Sequence, residues 1–71
     1  MNEVNTTVKY PHVHVKLVGQ DGNAFFIIGR VSAALRKAGV PEDVRKQFSA
    51  EAKSGDYNNL LATCMKWVDC D

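Results

Sequence analysis

Only one stretch of this chain alternates cleanly like a β-strand, and a β-strand does not stand alone. In "HVHVKLV", residues 12–18, Val13, Val15 and Leu17 point one way while His12, His14 and Lys16 point the other. That is the pattern of a strand with one buried and one wet face. Its backbone N–H and C=O groups need a ladder partner or water. Three remedies are open. The tail, residues 67–70 ("WVDC"), can turn extended and pair with it. Residues 6–10 ("TTVKY") can bend round, although Pro11 follows them and cannot donate to a ladder. Two chains can pair strand to strand. The tail is the expected mate, with a homodimer next, and the two can act together.

A chain of 71 residues makes a single small domain over residues 1–71. Folding at this size buries only about 60% of the surface the unfolded chain exposes, so the core is thin. The sequence is 45% hydrophobic and 24% charged, with a formal net charge of +1. Those values fit a globular domain and give no global electrostatic pull towards nucleic acid or a membrane. No apolar run approaches the roughly 20 residues that span a bilayer. The N-terminus "MNEVNTTVKY" lacks the basic start and apolar centre of a signal peptide. The expectation is a cytoplasmic protein, frayed over residues 1–5, in which Cys64 and Cys70 are reduced thiols.

Three helices follow the strand. Over residues 24–38, Ala24, Ile27, Ile28, Val31, Ala34, Leu35 and Ala38 gather on one stripe at the helical period. Arg36 and Lys37 suit its C-terminal end, and Gly39 is its stop. Pro41 opens the second helix, with Glu42 and Asp43 in the first turn and Val44, Phe48 and Ala52 on the apolar side. Asp56 caps the third, residues 57–67. There Tyr57, Leu60, Leu61, Cys64 and Val68 share a face flanked by Met65 and Trp67, leaving Asn58, Asn59, Ala62, Thr63 and Lys66 to water. The fold class expected is α+β: one N-terminal strand, three short helices, and a short C-terminal strand on the first.

The joint "LVGQDGNAFFIIGR", residues 17–30, leads from strand to helix through two glycines. Free N–H groups at a helix start attract anions, so Gly22 and Asn23 form a candidate anion- or backbone-binding turn. The spacing matches neither GxGxxG nor GxxxxGK[ST], no lysine follows, and Asp21 would repel a phosphate. A turn with Asp21 or Asn23 as helix cap is the stronger reading.

The first helix carries a second clue. Phe25 and Phe26 lie off its apolar stripe. Gly29 and Ala33, four apart, leave a shallow groove bordered by Phe26, Arg30 and Lys37. Either another helix fills that groove, or Phe26, Gly29, Arg30, Ala33 and Lys37 form an exposed surface for a macromolecular partner.

Other chemistry is thinly indicated. His12 and His14 sit side by side on one strand face, where a metal could use them, and Cys70 could join if the tail pairs nearby. A fourth ligand is missing, so an exposed histidine pair without metal is expected. Of the nucleophiles, Cys64 lies on a core face, and Ser32 and Ser49 are in no GxSxG-like elbow. Glu42, Asp43 and Glu51 read as helix charges facing solvent. No enzyme activity and no cofactor are expected. Arg30 and Lys37 beside Phe26 combine charge with a stacking ring, so a nucleic-acid accessory role is the alternative to a protein partner. A helix–turn–helix in "LRKAGVPEDVRKQF" falters because the second helix opens on Glu42 and Asp43.

"DGNAF" at residues 21–25, "GRV" at 29–31, "LRKAGVP" at 35–41, "SGDY" at 54–57 and "WV" at 67–68 resemble a family of small uncharacterised bacterial and phage-encoded proteins. The likeness covers residues 15–68. It implies a bacterial or mobile-element source and no enzyme motif, and it assigns no functional residue.

Overall fold

The computed structural model describes residues 8–17 and 22–70. Its elements run β1 (Tyr10–Val15), α1 (Ala24–Lys37), α2 (Glu42–Ala52), α3 (Tyr57–Trp67) and β2 (Val68–Cys70). The architecture is the α+β arrangement expected. The single strand finds its mate in the tail: β2 pairs with β1 in parallel. Parallel strands cannot be joined by a tight turn. All three helices therefore serve as the crossover between them.

The strand begins and ends earlier than its alternation implied, at Tyr10 and Val15 rather than at residues 12 and 18. Residue 18 lies outside the described residues, as do residues 1–5 and Asp21 of the joint. Partners are Tyr10 with Val68, His14 with Asp69 and Val15 with Cys70, with the register breaking between Tyr10 and His14. Pro11 falls inside that break. It has no N–H to give, so a bulge there loses little. Val13, Val15 and Val68 are buried, whereas His12, His14 and Asp69 face outward. Across the wet face His14 Nδ1 meets Asp69 Oδ2 at 2.7 Å.

The helix boundaries have local causes. Asn23 Oδ1 accepts from Phe25 N at 2.9 Å and Phe26 N at 3.3 Å, capping α1. At the other end Gly39 takes φ +92°. Gly39 N then donates to Arg36 O, and Val40 N to Leu35 O, both at 3.0 Å. This is a Schellman stop, and its usual apolar contact is provided by Val40 and Leu35, both buried. Pro41 sits one place earlier than expected, at the N-cap of α2. Asp56 caps α3 through its side chain, accepting from Asn59 N at 2.9 Å.

Trp67, Phe48, Leu35, Val31, Val68 and Cys64 are the largest fully buried side chains. Trp67 anchors the group. Phe48 meets its ring edge-on at a centroid distance of 5.5 Å, and Tyr10 stacks on it at 6.1 Å. The face that α3 buries is displaced from the one its hydropathy suggested. Leu60 and Cys64 are buried as expected, and so are Thr63 and Trp67. Tyr57 is 45% exposed and Leu61 only half-buried. Two things turn the helix this way. The indole is the largest apolar surface available, and Val68, counted on the helical face, belongs to β2 instead.

Candidate functional site

The outer face of α1 leaves Phe25 and Phe26 exposed, as α3 leaves Tyr57 and Met65. The inner stripe, Ile27, Ile28, Val31 and Leu35, is buried as its spacing required. Opposite it, Gly29 and Ala33 are exposed, and a Cβ added at Gly29 would meet nothing within 4 Å. Among the described residues no neighbouring helix fills the groove, contrary to the first of the two arrangements the sequence left open. Phe26 keeps 39% of its surface exposed and Phe25 77%.

Basic groups border this face in a fixed arrangement. Arg30 Cζ lies 5.8 Å from the centroid of the Phe26 ring. Its Nε donates to Lys16 O at 3.2 Å, which ties α1 to the chain just after β1. Lys37, two turns further along the same side, is exposed. Phe26, Gly29, Arg30, Ala33 and Lys37 are thus brought together on one surface.

Beside that surface lies a groove of ≈ 240 Å³ between β1 and the last turns of α1, lined by His12, Val13, His14, Ala34, Lys37 and Ala38. Sequence reasoning placed the two histidines and Lys37 in separate hypotheses. Only the antiparallel return of α1 along β1 brings them into one place.

The turn at Gly22 and Asn23 is a helix cap. The N–H groups of Phe25 and Phe26, which an anion would need, are taken by Asn23 Oδ1. Tyr57 Oη donates to Gly22 O at 2.7 Å, locking the entry of α1 to the start of α3. Phe25 and Tyr57 rim a second cleft of ≈ 260 Å³ there, with Ile28 and Leu60 below.

Residues considered for metal binding and nucleophilic chemistry are dispersed. Cys70 is opposite Val15 and shares its side of the sheet, turned away from His12 and His14. Cys70 instead lines a small apolar cleft with Leu17, Leu61 and Met65. Among the described residues no three His, Cys, Asp or Glu side chains cluster as a metal site would need. Cys64 is fully buried, and burial, with a smaller contribution from neighbouring Cys70, pushes its thiol up to about 11. It is a protonated core group at neutral pH. Ser32 and Ser49 are half-buried on different helices.

Glu51 corrects a sequence expectation. It does not simply face solvent. Its carboxylate accepts from Trp67 Nε1 and pairs with Lys66 Nζ at 2.5 Å. The hydrogen bonds from Lys66 and then Trp67 hold its carboxyl below the usual carboxylate range.

No protein-family model, curated protein sequence or solved structure matches the chain. Among the described residues no helix is long and apolar enough to cross a membrane.

Proposed function

We propose that this is a small non-enzymatic binding protein that acts by contact with a protein partner through the outer face of α1. The observation that carries the reading is the open surface at Gly29, bordered by exposed Phe26, Ala33 and Lys37. Glycine inside a helix costs roughly 1 kcal/mol relative to alanine. Among the described residues nothing lies within 4 Å of a Cβ placed there. A surface that accepts a flat apolar contact beside two cations accounts for both features. One edge of the strand finds its mate within the chain in β2, so the face of α1 supports the binding role more directly than a homodimer does. Sedimentation tests self-association separately.

The experiment is crosslinked capture from a host-cell extract, comparing the wild type with Phe26→Ala. The reading expects a band captured by the wild type and lost with Phe26→Ala. Equal capture by both proteins overturns it.

A second reading is favoured by one contact, the Arg30 guanidinium over the Phe26 ring. Charge beside a ring is how single-stranded nucleic acid is held. Oligonucleotide binding that weakens steeply as salt rises supports this reading, and binding insensitive to salt removes it.

A further inference from the structure

We infer that the groove between β1 and α1 receives an extended acidic peptide, added to the sheet as a third strand beside β1. This rests on the binding role proposed above and names the chemistry of the partner.

The sheet of the described residues has two strands, in the order β1-β2. Alternate residues of a strand direct their N–H and C=O groups to opposite edges. Among the described residues, the edge of β1 remote from β2 therefore presents main-chain groups that the β1-β2 ladder does not use. Ala34, Lys37 and Ala38 of α1 stand across the groove from His12, Val13 and His14 of β1. Further towards the start of α1, Arg30 Nε donates to Lys16 O and holds the helix to the chain just after β1. Ala34 and Ala38 are small enough to leave ≈ 240 Å³ between helix and strand. A sheet edge beside a helix suits an extended peptide: the main chain supplies affinity, and alternate side chains meet the helix.

Charge selects the peptide. Lys37 is the permanent cation of the groove's lining, Arg30 lies two turns earlier on α1 and is bonded to Lys16 O just after β1, and among the described residues the lining holds no carboxylate. The nearby carboxylate, Asp69, is engaged by His14 at 2.7 Å. A second copy of this chain fits poorly. Pairing β1 with another β1 would set basic side chains such as Lys16 and Lys37 against a surface of the same kind, and like charges across an interface are unfavourable. A peptide with acidic residues at alternate positions would meet Lys37, Lys16 and Arg30 with opposite charge.

The test uses isotope-labelled full-length protein, titrated in an NMR experiment with a capped octapeptide of alternating Glu and Val. Three comparison probes are the Lys–Val octapeptide, the Glu–Val octapeptide N-methylated at alternate residues, and oligothymidine. The expected result is saturable binding of the Glu–Val peptide, shifting the amides of His12, Val13, His14, Ala34 and Lys37. Lys37→Glu, N-methylation and the Lys–Val sequence should each weaken it by about tenfold or more, the equivalent of about 1.4 kcal/mol. Lys37 is exposed, so the variant keeps the fold, which circular dichroism checks; Lys16→Glu provides a second charge reversal. Absence of saturable Glu–Val binding overturns the inference, as does indifference to N-methylation or tighter binding of oligothymidine. Shifts confined to Phe26, Gly29 and Ala33 also overturn it while leaving the proposed function standing, because that reading depends on capture being lost in Phe26→Ala.

Discussion

The Glu51 carboxylate accepts a hydrogen bond from the Trp67 indole Nε1 at 3.1 Å, joining the last turn of α2 to the last residue of α3. Lys66 Nζ approaches the other oxygen of the same carboxylate. Trp67 is the residue on which the core converges, so this bond sets how α2 lies over the helix that delivers β2. Asn59 Nδ2 and Ser54 Oγ both donate to Glu51 O, holding the end of α2 in place.

The pH dependence of stability follows from that carboxylate. The carboxyl of Glu51 is held below its ordinary value of 4.5 by Lys66 and Trp67. The folded state thus binds the proton more weakly than the unfolded state does. The stabilisation is fully present above the unfolded value and is lost as pH falls through the folded one. Thermal melts read by the single tryptophan should show Tm falling as pH drops below the ordinary value of 4.5, and falling less in Glu51→Gln. The same acid slope in both proteins would contradict the role given to Glu51.

Core truncations should rank by burial. Leu35 and Phe48 are fully buried, whereas Leu61 is half-buried. Leu35→Ala should cost about 2–5 kcal/mol and Phe48→Ala about 3–5 kcal/mol in urea unfolding. Leu61→Ala should cost less, about 1 kcal/mol, as expected for partly exposed apolar surface. A Leu61→Ala cost equal to that of Leu35→Ala would move the α3 interface back to the face suggested by hydropathy.

The cap of α1 is a side-chain device with no substitute in the first turn. Asn23→Ala removes the acceptor for Phe25 N and Phe26 N. It should destabilise the protein by about 1 kcal/mol, measured by urea unfolding, while Asn23→Asp retains most of the stability. If Asn23→Ala has no cost, the turn is not held by its cap.

Cys64 gives an alkaline counterpart to Glu51. Its thiol is pushed from 9.0 to about 11, chiefly by burial. The folded state therefore holds the proton more tightly than the unfolded state, so stability is full below the unfolded value and declines as pH rises towards the folded one. Cys64→Ala should flatten the loss of Tm above about pH 9. Iodoacetamide should modify Cys64 only at the rate of unfolding, and rapid modification in native buffer would show the thiol to be accessible.

Much of this architecture could be read from local chemistry. The α1 stripe of Ile27, Ile28, Val31 and Leu35, the Gly39 stop and the Asp56 cap each depend on residues within a few positions of one another. The pairing of β2 with β1 was legible for another reason: the lone alternating segment required a mate and the tail could supply one. What escaped depends on contacts between distant parts of the chain. By spacing alone Thr63 faces water, because hydropathy centres the α3 face on Tyr57, Leu61 and Val68. It is buried because Trp67 draws the helix round by roughly 60°, at 100° per residue. Glu51 looked like any exposed helix charge because neither Lys66 nor Trp67 is near it in sequence. The candidate surface was legible in part. Phe26, Gly29, Arg30, Ala33 and Lys37 follow from helix spacing. The adjoining groove does not, because it requires α1 to return along His12 and His14.

Gly29→Arg tests the central claim, that the outer face of α1 is kept open for binding and not for folding. With nothing near Gly29 to clash, the substitution should raise stability in urea by up to about 1 kcal/mol. The same protein should lose crosslinked capture of its partner, because the new side chain occupies the surface. A Gly29→Arg protein that is more stable and still captures the partner as the wild type does would contradict the account.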